Sequence, residues 1–406
     1  MIIAKYKFDS SVYSNLIPVF NDGYNGYTIS DEIDSENSNH VIRTIECDVL
    51  PTLMRFGRMY VSGESATDNR TDSLLEVLDM NTSGLTSCNS MFRYNTNLTS
   101  ITCNWDTSNV TNMGNMFTYC NNLTQLDVSD FNTSNATTMR SMFYDCNNLT
   151  LLDVSNFDTS KVTNMNTMFQ NCTNLTSLDV SNWNTSKVTN MYSVFYNCYE
   201  LTSLDVSNWD TSNATDMRNI FWKCKKLKLL ILGNWNFSKV TNMNSIFSTN
   251  ASVKMSLETL DIANWEISES TSTEKLFYND DESLASIKNI RCNNANVINN
   301  VLIPSLPTRS SDNKGQIITS ATLTQEIIDT LASKNWTVVS DSTLTKVAEY
   351  VYDSNTWNSL IPTFNNEFVE YFIDDVEDEN GLVTRNISSM GGLPTLMRFC
   401  TNISLD

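Results

Sequence analysis

A chain of 406 residues with 40% hydrophobic side chains can fill two to four packed units, and 46 acidic against 26 basic residues give it a formal charge of −20. That field repels phosphate backbones and anionic lipid headgroups, which argues against nucleic-acid binding, and no apolar run is long enough to insert into a bilayer. A single histidine, His40, removes most Ser-His-Asp, Cys-His and zinc-histidine schemes.

Residues 1–70 read as a small α+β module of mixed strands with one short helix. The opening MIIAKYKFDSS has no basic stretch followed by an apolar one, so no secretory leader is expected there. The module ends on Leu50-Pro51-Thr52-Leu53-Met54-Arg55-Phe56.

Residues 71–292 are dominated by a repeat. Phe92, Phe117, Phe143, Phe169, Phe195, Phe221, Phe247 and Phe277 fall at steps of 25, 26, 26, 26, 26, 26 and 30, the long step marking a four-residue insertion after Ser248. Each unit holds two periods. Val162, Met165, Met168, Phe169 and Cys172 fit one face of a short helix, with Thr163 as its N-cap. Thr111, Thr137, Thr189, Thr215 and Thr241 are equivalent. Leu175, Leu178 and Val180 then step into a short strand, as do Leu123, Leu126, Val128 and Leu149, Leu152, Val154 and Leu201, Leu204, Val206. Degenerate copies at Leu75, Leu78, Met80 and at Ile287, Ile290, Cys292 bring the expected strands to nine. No unit can hide both faces alone, so stacking must bury them. Strands at about 4.8 Å beside helices at about 10 Å predict an arc with the strands on the concave side.

The unit L-x-x-L-D-V-S-N-W-D-T-S-K-V-T-N-M-x-x-M-F-x-x-C closely resembles the repeat of BspA-like bacterial surface proteins, relatives of the leucine-rich repeat. The resemblance implies an α/β leucine-rich-repeat-like solenoid that binds proteins or glycans outside the cell. One departure stands out. Ordinary leucine-rich repeats carry Asn where this chain has Phe131, Phe157, Trp183, Trp209 and Trp235, so an aromatic stack is expected in place of a buried Asn ladder.

Residues 293–345 read as a C-terminal cap. Thr322 and Gln325 fit a capping box ahead of a helix, and Trp336 to Val339 fit a strand. Residues 346–406 repeat the first module: AEYVYDSNTWNSLIPTFN from Ala348 matches AKYKFDSSVYSNLIPVFN, and Leu393 to Phe399 repeat Leu50 to Phe56. These end modules suggest self-association, and they resemble modules of tail or fibre proteins of gut bacteriophages.

The candidate binding surface is the strand face. Asp127, Asp153, Asp179 and Asp205 lie on consecutive strands, with Asp79 and Asp261 in the same register further out, and alternation points them away from the core beside Thr176, Ser177, Thr202 and Ser203. Closely spaced carboxylates repel, which hydroxyls, water or Ca²⁺ can offset. The plainer reading is that each Asp accepts bonds from a local turn. Trp183, Trp209, Trp235 and Trp265 fit a sugar-stacking platform or, at so regular a place, core packing. Tyr119, Tyr144, Tyr192, Tyr196, Tyr199 and Trp222 sit where the repeat varies, so a ligand contact there costs the core nothing. Cys120, Cys146, Cys172, Cys198 and Cys224 share one position and are expected as reduced, buried thiols; helices about 10 Å apart would keep them from pairing. No cofactor or metal motif is present. The expected function is therefore non-enzymatic: a protein on a cell or virion surface that recognises a host-cell protein or polysaccharide. The alternatives are a structural spacer of a fibre or surface array and, last, a hydrolase working through the Asp row.

Overall fold

The computed structural model describes residues 1–21, 24–57, 70–103, 105–248, 255–267, 271–273, 276–277, 287–353, 363–364, 371–377, 382–389 and 397–398. It divides into two units. Unit 1 comprises Met1–Leu178, Trp183–Leu201 and Asn213–Cys224; unit 2 comprises Asp179–Asn182, Thr202–Ser212 and Lys225–Asp406.

Unit 1 begins with β1 (Ile2–Asp9), in which Ala4, Tyr6 and Phe8 are buried between the more exposed Lys5 and Lys7, the period of two that a half-buried strand requires. β2 (Val19–Phe20), β3 (Tyr27–Ile33), β4 (His40–Cys47) and β5 (Met54–Arg55) follow. The sheet order is β3-β4-β1-β6-β7, with β6 at Leu74–Met80 and β7 at Ser100–Ile101, while β2 pairs with β5. The outer edge of β1 is thus closed, antiparallel, by the first strand of the repeat, and Lys7 Nζ lies 3.5 Å from Glu76 Oε1 across the pair. The sheet runs through the boundary expected near residue 70.

Beyond it, unit 1 is a stack of 26-residue turns. Bridges join Asn112 to Thr138, Thr138 to Asn164, Asn164 to Asn190 and Asn190 to Asp216, all parallel. The phenylalanines lie flat on one another, with centroids 5.6 Å apart for Phe92–Phe117, 5.7 Å for Phe117–Phe143, 5.6 Å for Phe143–Phe169 and 5.8 Å for Phe169–Phe195.

The expected helix is not formed. Residues 113–120 and their equivalents are successive turns in which every second amide leaves its own coil: Met113, Asn115, Phe117 and Tyr119 donate to Thr138, Arg140, Met142 and Tyr144 at 2.7–3.1 Å. Two residues per coil take positive φ, as at Asn115 (55°) and Tyr119 (63°) or Ser141 (54°) and Asp145 (61°), which no α-helix contains. Asn, Ser and Asp tolerate that conformation and are poor helix formers, so the local chain favours turns. The apolar spacing reads as helical because turn corners three and four residues apart bury the same positions: Val162, Met165, Met168, Phe169 and Cys172 are all fully buried. Thr163 caps nothing. Its amide and hydroxyl donate at 2.9 and 3.2 Å to the Thr137 carbonyl, and Thr137, Thr189 and Thr215 each bond the preceding coil in the same way.

Two further expectations change. The steps at 123–128, 149–154 and 175–180 are not strands; they hold one isolated bridge, Gln125 to Leu151. And rings stacked at 5.6–5.8 Å stand where helices spaced at about 10 Å were expected.

Unit 2 has more regular strands. β8 (Ser203–Asp205) and β9 (Leu229–Ile231) pair parallel. β10 (Asn236–Phe237), β11 (Thr259–Asp261) and β12 (Glu266–Ile267) follow, β10 pairing with β12. β11 opens a parallel sheet with β13 (Asn289–Arg291), β14 (Gly315–Thr319) and β15 (Trp336–Ser340). The helix before β15, Gln325–Ser333, is capped by Thr324, whose hydroxyl accepts from Ile327 N, and not by the Thr322 box. The insertion after Ser248 lies outside the described residues.

The last sheet of unit 2 contains β16 (Thr345–Asp353), β18 (Tyr371–Glu377) and β19 (Leu382–Ser389) in the order β16-β19-β18, while β17 (Thr363–Phe364) pairs with β20 (Met397–Arg398). This reproduces β1-β4-β3 and β2-β5 of unit 1. Even the irregularity recurs, between Ile2 and Ala4 in β1 and between Lys346 and Ala348 in β16. Arg43 lies opposite Tyr6 and Asp31; Arg385 lies opposite Tyr350 and Asp375. Both arginines are buried, at 4% and 1% exposure, and Arg43 is satisfied by a two-pronged bond to Asp31 at 2.7 and 2.6 Å. Most of the sequence match in residues 354–362 and 393–396 lies outside the described residues.

Candidate functional site

The regular coils turn three corners, and a short polar side chain makes each one. Asp127, Asp153, Asp179 and Asp205 accept through Oδ1 from the amides of Ser129, Ser155, Ser181 and Ser207 at 2.9–3.1 Å. Asp106, Asn132, Asp158 and Asn184 do the same for Ser108, Ser134, Ser160 and Ser186. Asn112, Asn164, Asn190 and Asp216 do it for the residue two further on at the third corner. A side chain that accepts from its own backbone two residues later is what a tight turn asks of Asp and Asn. The triplets D-V-S, D-T-S and N-T-S carried this signal in the sequence.

The Asp row is therefore committed to the fold. The Ser155 hydroxyl donates to Asp153 at 2.6 Å, and this bond, with the amide bond beside it, holds the Asp153 carboxyl below the usual range; Ser129 does the same to Asp127. Asp261 is drawn into an ion pair, its Oδ2 3.2 Å from Arg291 Nη1, and Asp341 holds the same guanidinium at 3.0 Å. Where the row breaks, the turn changes chemistry. Ile231 replaces the acceptor, and Gly233, two residues on, takes φ +61°, where a Cβ would come within 2.2 Å of the Ser207 carbonyl oxygen. Among the described residues no three His, Cys, Asp or Glu gather as a metal site.

The hydroxyls expected beside the row are exposed, and some are spent between coils. The Thr176 hydroxyl donates to the Thr150 carbonyl, whereas at Thr202 the backbone makes the link, its carbonyl accepting from Lys228 N at 2.9 Å. Ser177 and Ser203 stay exposed.

The tryptophans are core. Trp183, Trp209, Trp235 and Trp265 are at most 2% exposed, which removes them as a sugar platform. In unit 2, Trp209, Trp235 and Trp265 stack at 6.4 Å, and in unit 1 Phe157 stacks on Trp183 at 6.3 Å. Trp183, Trp209 and Trp235 each donate Nε1 to a valine carbonyl 29 residues earlier at 3.1–3.2 Å. The cysteines are also structural. Each Sγ of Cys120, Cys146, Cys172, Cys198 and Cys224 donates to a phenylalanine carbonyl of the preceding coil at 3.1–3.2 Å, and burial pushes the Cys146 and Cys224 thiols up to about 12. Engagement in this bond, not distance between helices, is what occupies the thiols.

Unit 1 also carries an aromatic edge. Tyr119, Tyr144, Tyr192, Tyr196, Tyr199 and Trp222 are all half-buried. Tyr94, which sequence reasoning passed over, stacks on Tyr119 at 4.5 Å, and Tyr119 meets Tyr144 edge-on at 5.3 Å. Burial, with the Tyr144 hydroxyl beside it, holds the Tyr119 hydroxyl above its ordinary range. Further along, Tyr196 meets Trp222 at 5.0 Å, the Arg218 guanidinium covers Tyr192 at 5.0 Å, and Lys223 Nζ lies 5.7 Å from the Tyr196 ring and 5.3 Å from the Trp222 ring.

A family model described as "Mycoplasma protein of unknown function, DUF285" matches residues 64–151, 145–259 and 202–305, together more than half of the chain. No curated protein and no solved structure matches. Among the described residues no helix is long and apolar enough to cross a membrane.

Proposed function

The chain belongs to the DUF285 family, and we propose that it is a non-enzymatic binding protein, displayed on a cell or virion surface, that holds its ligand along the aromatic edge of unit 1. The stacked turns are read as a leucine-rich-repeat-like solenoid scaffold of BspA-like ancestry. One contrast carries the reading. The polar residues that the repeat fixes are used up in turns and ladders, whereas Tyr119, Tyr144, Tyr192, Tyr196 and Trp222 occupy variable places and stay half-exposed. Aromatic side chains supply contact area at low entropic cost, which suits an edge whose partner changes while its core does not. This moves the expected surface from the Asp row to the edge. A whole-cell binding assay with a glycan array tests it. Tyr196→Ala with Trp222→Ala should abolish binding, and Asp153→Ala with Asp179→Ala should keep it, both variants remaining folded; the reverse result rejects the edge.

A separate observation favours a second reading, that of a spacer in a fibre or surface array. The end module occurs twice, and the β1 edge is closed by β6 while β16, among the described residues, pairs only with β19. An open strand edge is a template for another chain. Sedimentation that does not change with concentration would remove this reading.

A further inference from the structure

On the edge, Arg218 lies over Tyr192, and Lys223 lies beside the paired rings of Tyr196 and Trp222. Lys223 has aromatic rings beside it and, among the described residues, no carboxylate bonded to it, in a chain whose formal charge is −20. Arg218 is held by Asp216 at 2.9 and 2.6 Å, which fixes its plane over Tyr192 while 43% of its side chain stays exposed. The Trp222 indole N–H is shut off from water and meets no acceptor among the described residues, so only the faces of its ring are open to a ligand. Lysine and arginine only donate, and both of these reach solvent, so the patch favours a ligand rich in charged acceptors. Backbone pairing is closed to that ligand. Ser193, Phe195 and Asn197 already donate their amides to Arg218, Ile220 and Trp222 of the next coil at 2.7–3.0 Å, so a peptide cannot add here as a strand. Recognition is left to charge, hydroxyls and ring contacts.

We infer that this patch binds an acidic polysaccharide, whose carboxylate or sulfate groups sit against Lys223 and Arg218 while its sugar rings lie along Tyr192, Tyr196 and Trp222. The inference rests on the binding reading above and names its ligand. Charge supplies attraction to a local cationic spot on an otherwise repelling surface, so the right ligand must also gain from the aromatics.

Calorimetric titration of the full chain with heparin (sulfated), polygalacturonate (carboxylated), dextran (neutral) and poly-glutamate (an acidic peptide) tests it. Heparin or polygalacturonate should bind and weaken with salt. Lys223→Gln should lower that affinity about tenfold, the scale of one charge-assisted bond. Lys223→Arg should keep it, and Lys187→Gln, an exposed lysine outside the patch, should not change it. Equal affinity for dextran, or for poly-glutamate, overturns the inference, as does binding that Lys223→Gln leaves intact. If neither acidic polysaccharide binds, the inference falls. Cell binding that is still lost in Tyr196→Ala with Trp222→Ala would then show that the edge binds something else, and the absence of cell binding by the native chain would reject the broader reading as well.

Discussion

Two faces of the stacked turns in unit 1 use similar chemistry to opposite ends. At the corners, Asp127 and Asp153 are exposed and charged, and their Oδ1 atoms fold the chain back on itself. At the edge, Tyr192, Tyr196 and Trp222 are half-buried, and the place that Tyr196 and Trp222 share in the repeat is filled by Gln170 one coil earlier. Regularity in a repeat protein marks what every coil must do to turn and stack; departures from it mark where one coil can differ from the next. An exposed carboxylate row looked more like a binding site than an uneven set of tyrosines; the binding reading proposed above reverses that order.

The contrast is broken most forcefully at the core rows. Phe143→Ala removes a ring held between neighbours at 5.7 and 5.6 Å and should cost about 3–5 kcal/mol, read by chemical denaturation. Thr159 is 1% exposed and its hydroxyl donates to the Asn184 carbonyl at 2.9 Å, so Thr159→Val should cost about 1–3 kcal/mol despite its similar shape. If Thr159→Val were neutral, the hydroxyl ladders would be passengers.

The thiol row gives a pH signature. Cys146 and Cys224 ionise at about 12 in the folded chain against an ordinary 9.0, so the unfolded chain loses these protons first. Their contribution is therefore complete below pH 9.0 and declines as pH rises toward about 12. Urea midpoints should fall across that window, and fall less in Cys146→Ala with Cys224→Ala. The smallest effect belongs to Asp153→Asn, because an amide oxygen still accepts from Ser155; about 0.5 kcal/mol or less is expected, with ligand binding unchanged. A large loss of binding in Asp153→Asn would return the site to the Asp row.

Much of the core was legible. The phenylalanine, cysteine and tryptophan rows are buried where apolar spacing placed them, because burial follows side-chain chemistry whatever the backbone does. The backbone between them was not legible. Positions i, i+3 and i+7 are buried by a helix and also by three tight corners, and only the density of Asn, Ser and Thr distinguishes the two. The duplicated module was visible as a sequence match, yet the buried arginine at its centre, Arg43 and again Arg385, was missed. An isolated Arg in the strand HVIRTIEC reads as an exposed residue until Asp31 is seen opposite it. The Lys223 patch was missed because nothing in the spacing links it to Tyr196, 27 residues earlier on the neighbouring coil.

Everything above depends on neighbouring coils meeting through tight turns and not through helices. Ser141 and Thr167, at the centre of the expected helical segment, bring their hydroxyl oxygens within 2.7 Å. Replacing both with cysteine tests that contact directly. Stacked turns predict that Ser141→Cys with Thr167→Cys forms a disulfide under mild oxidation without loss of fold, whereas helices about 10 Å apart would leave two free thiols.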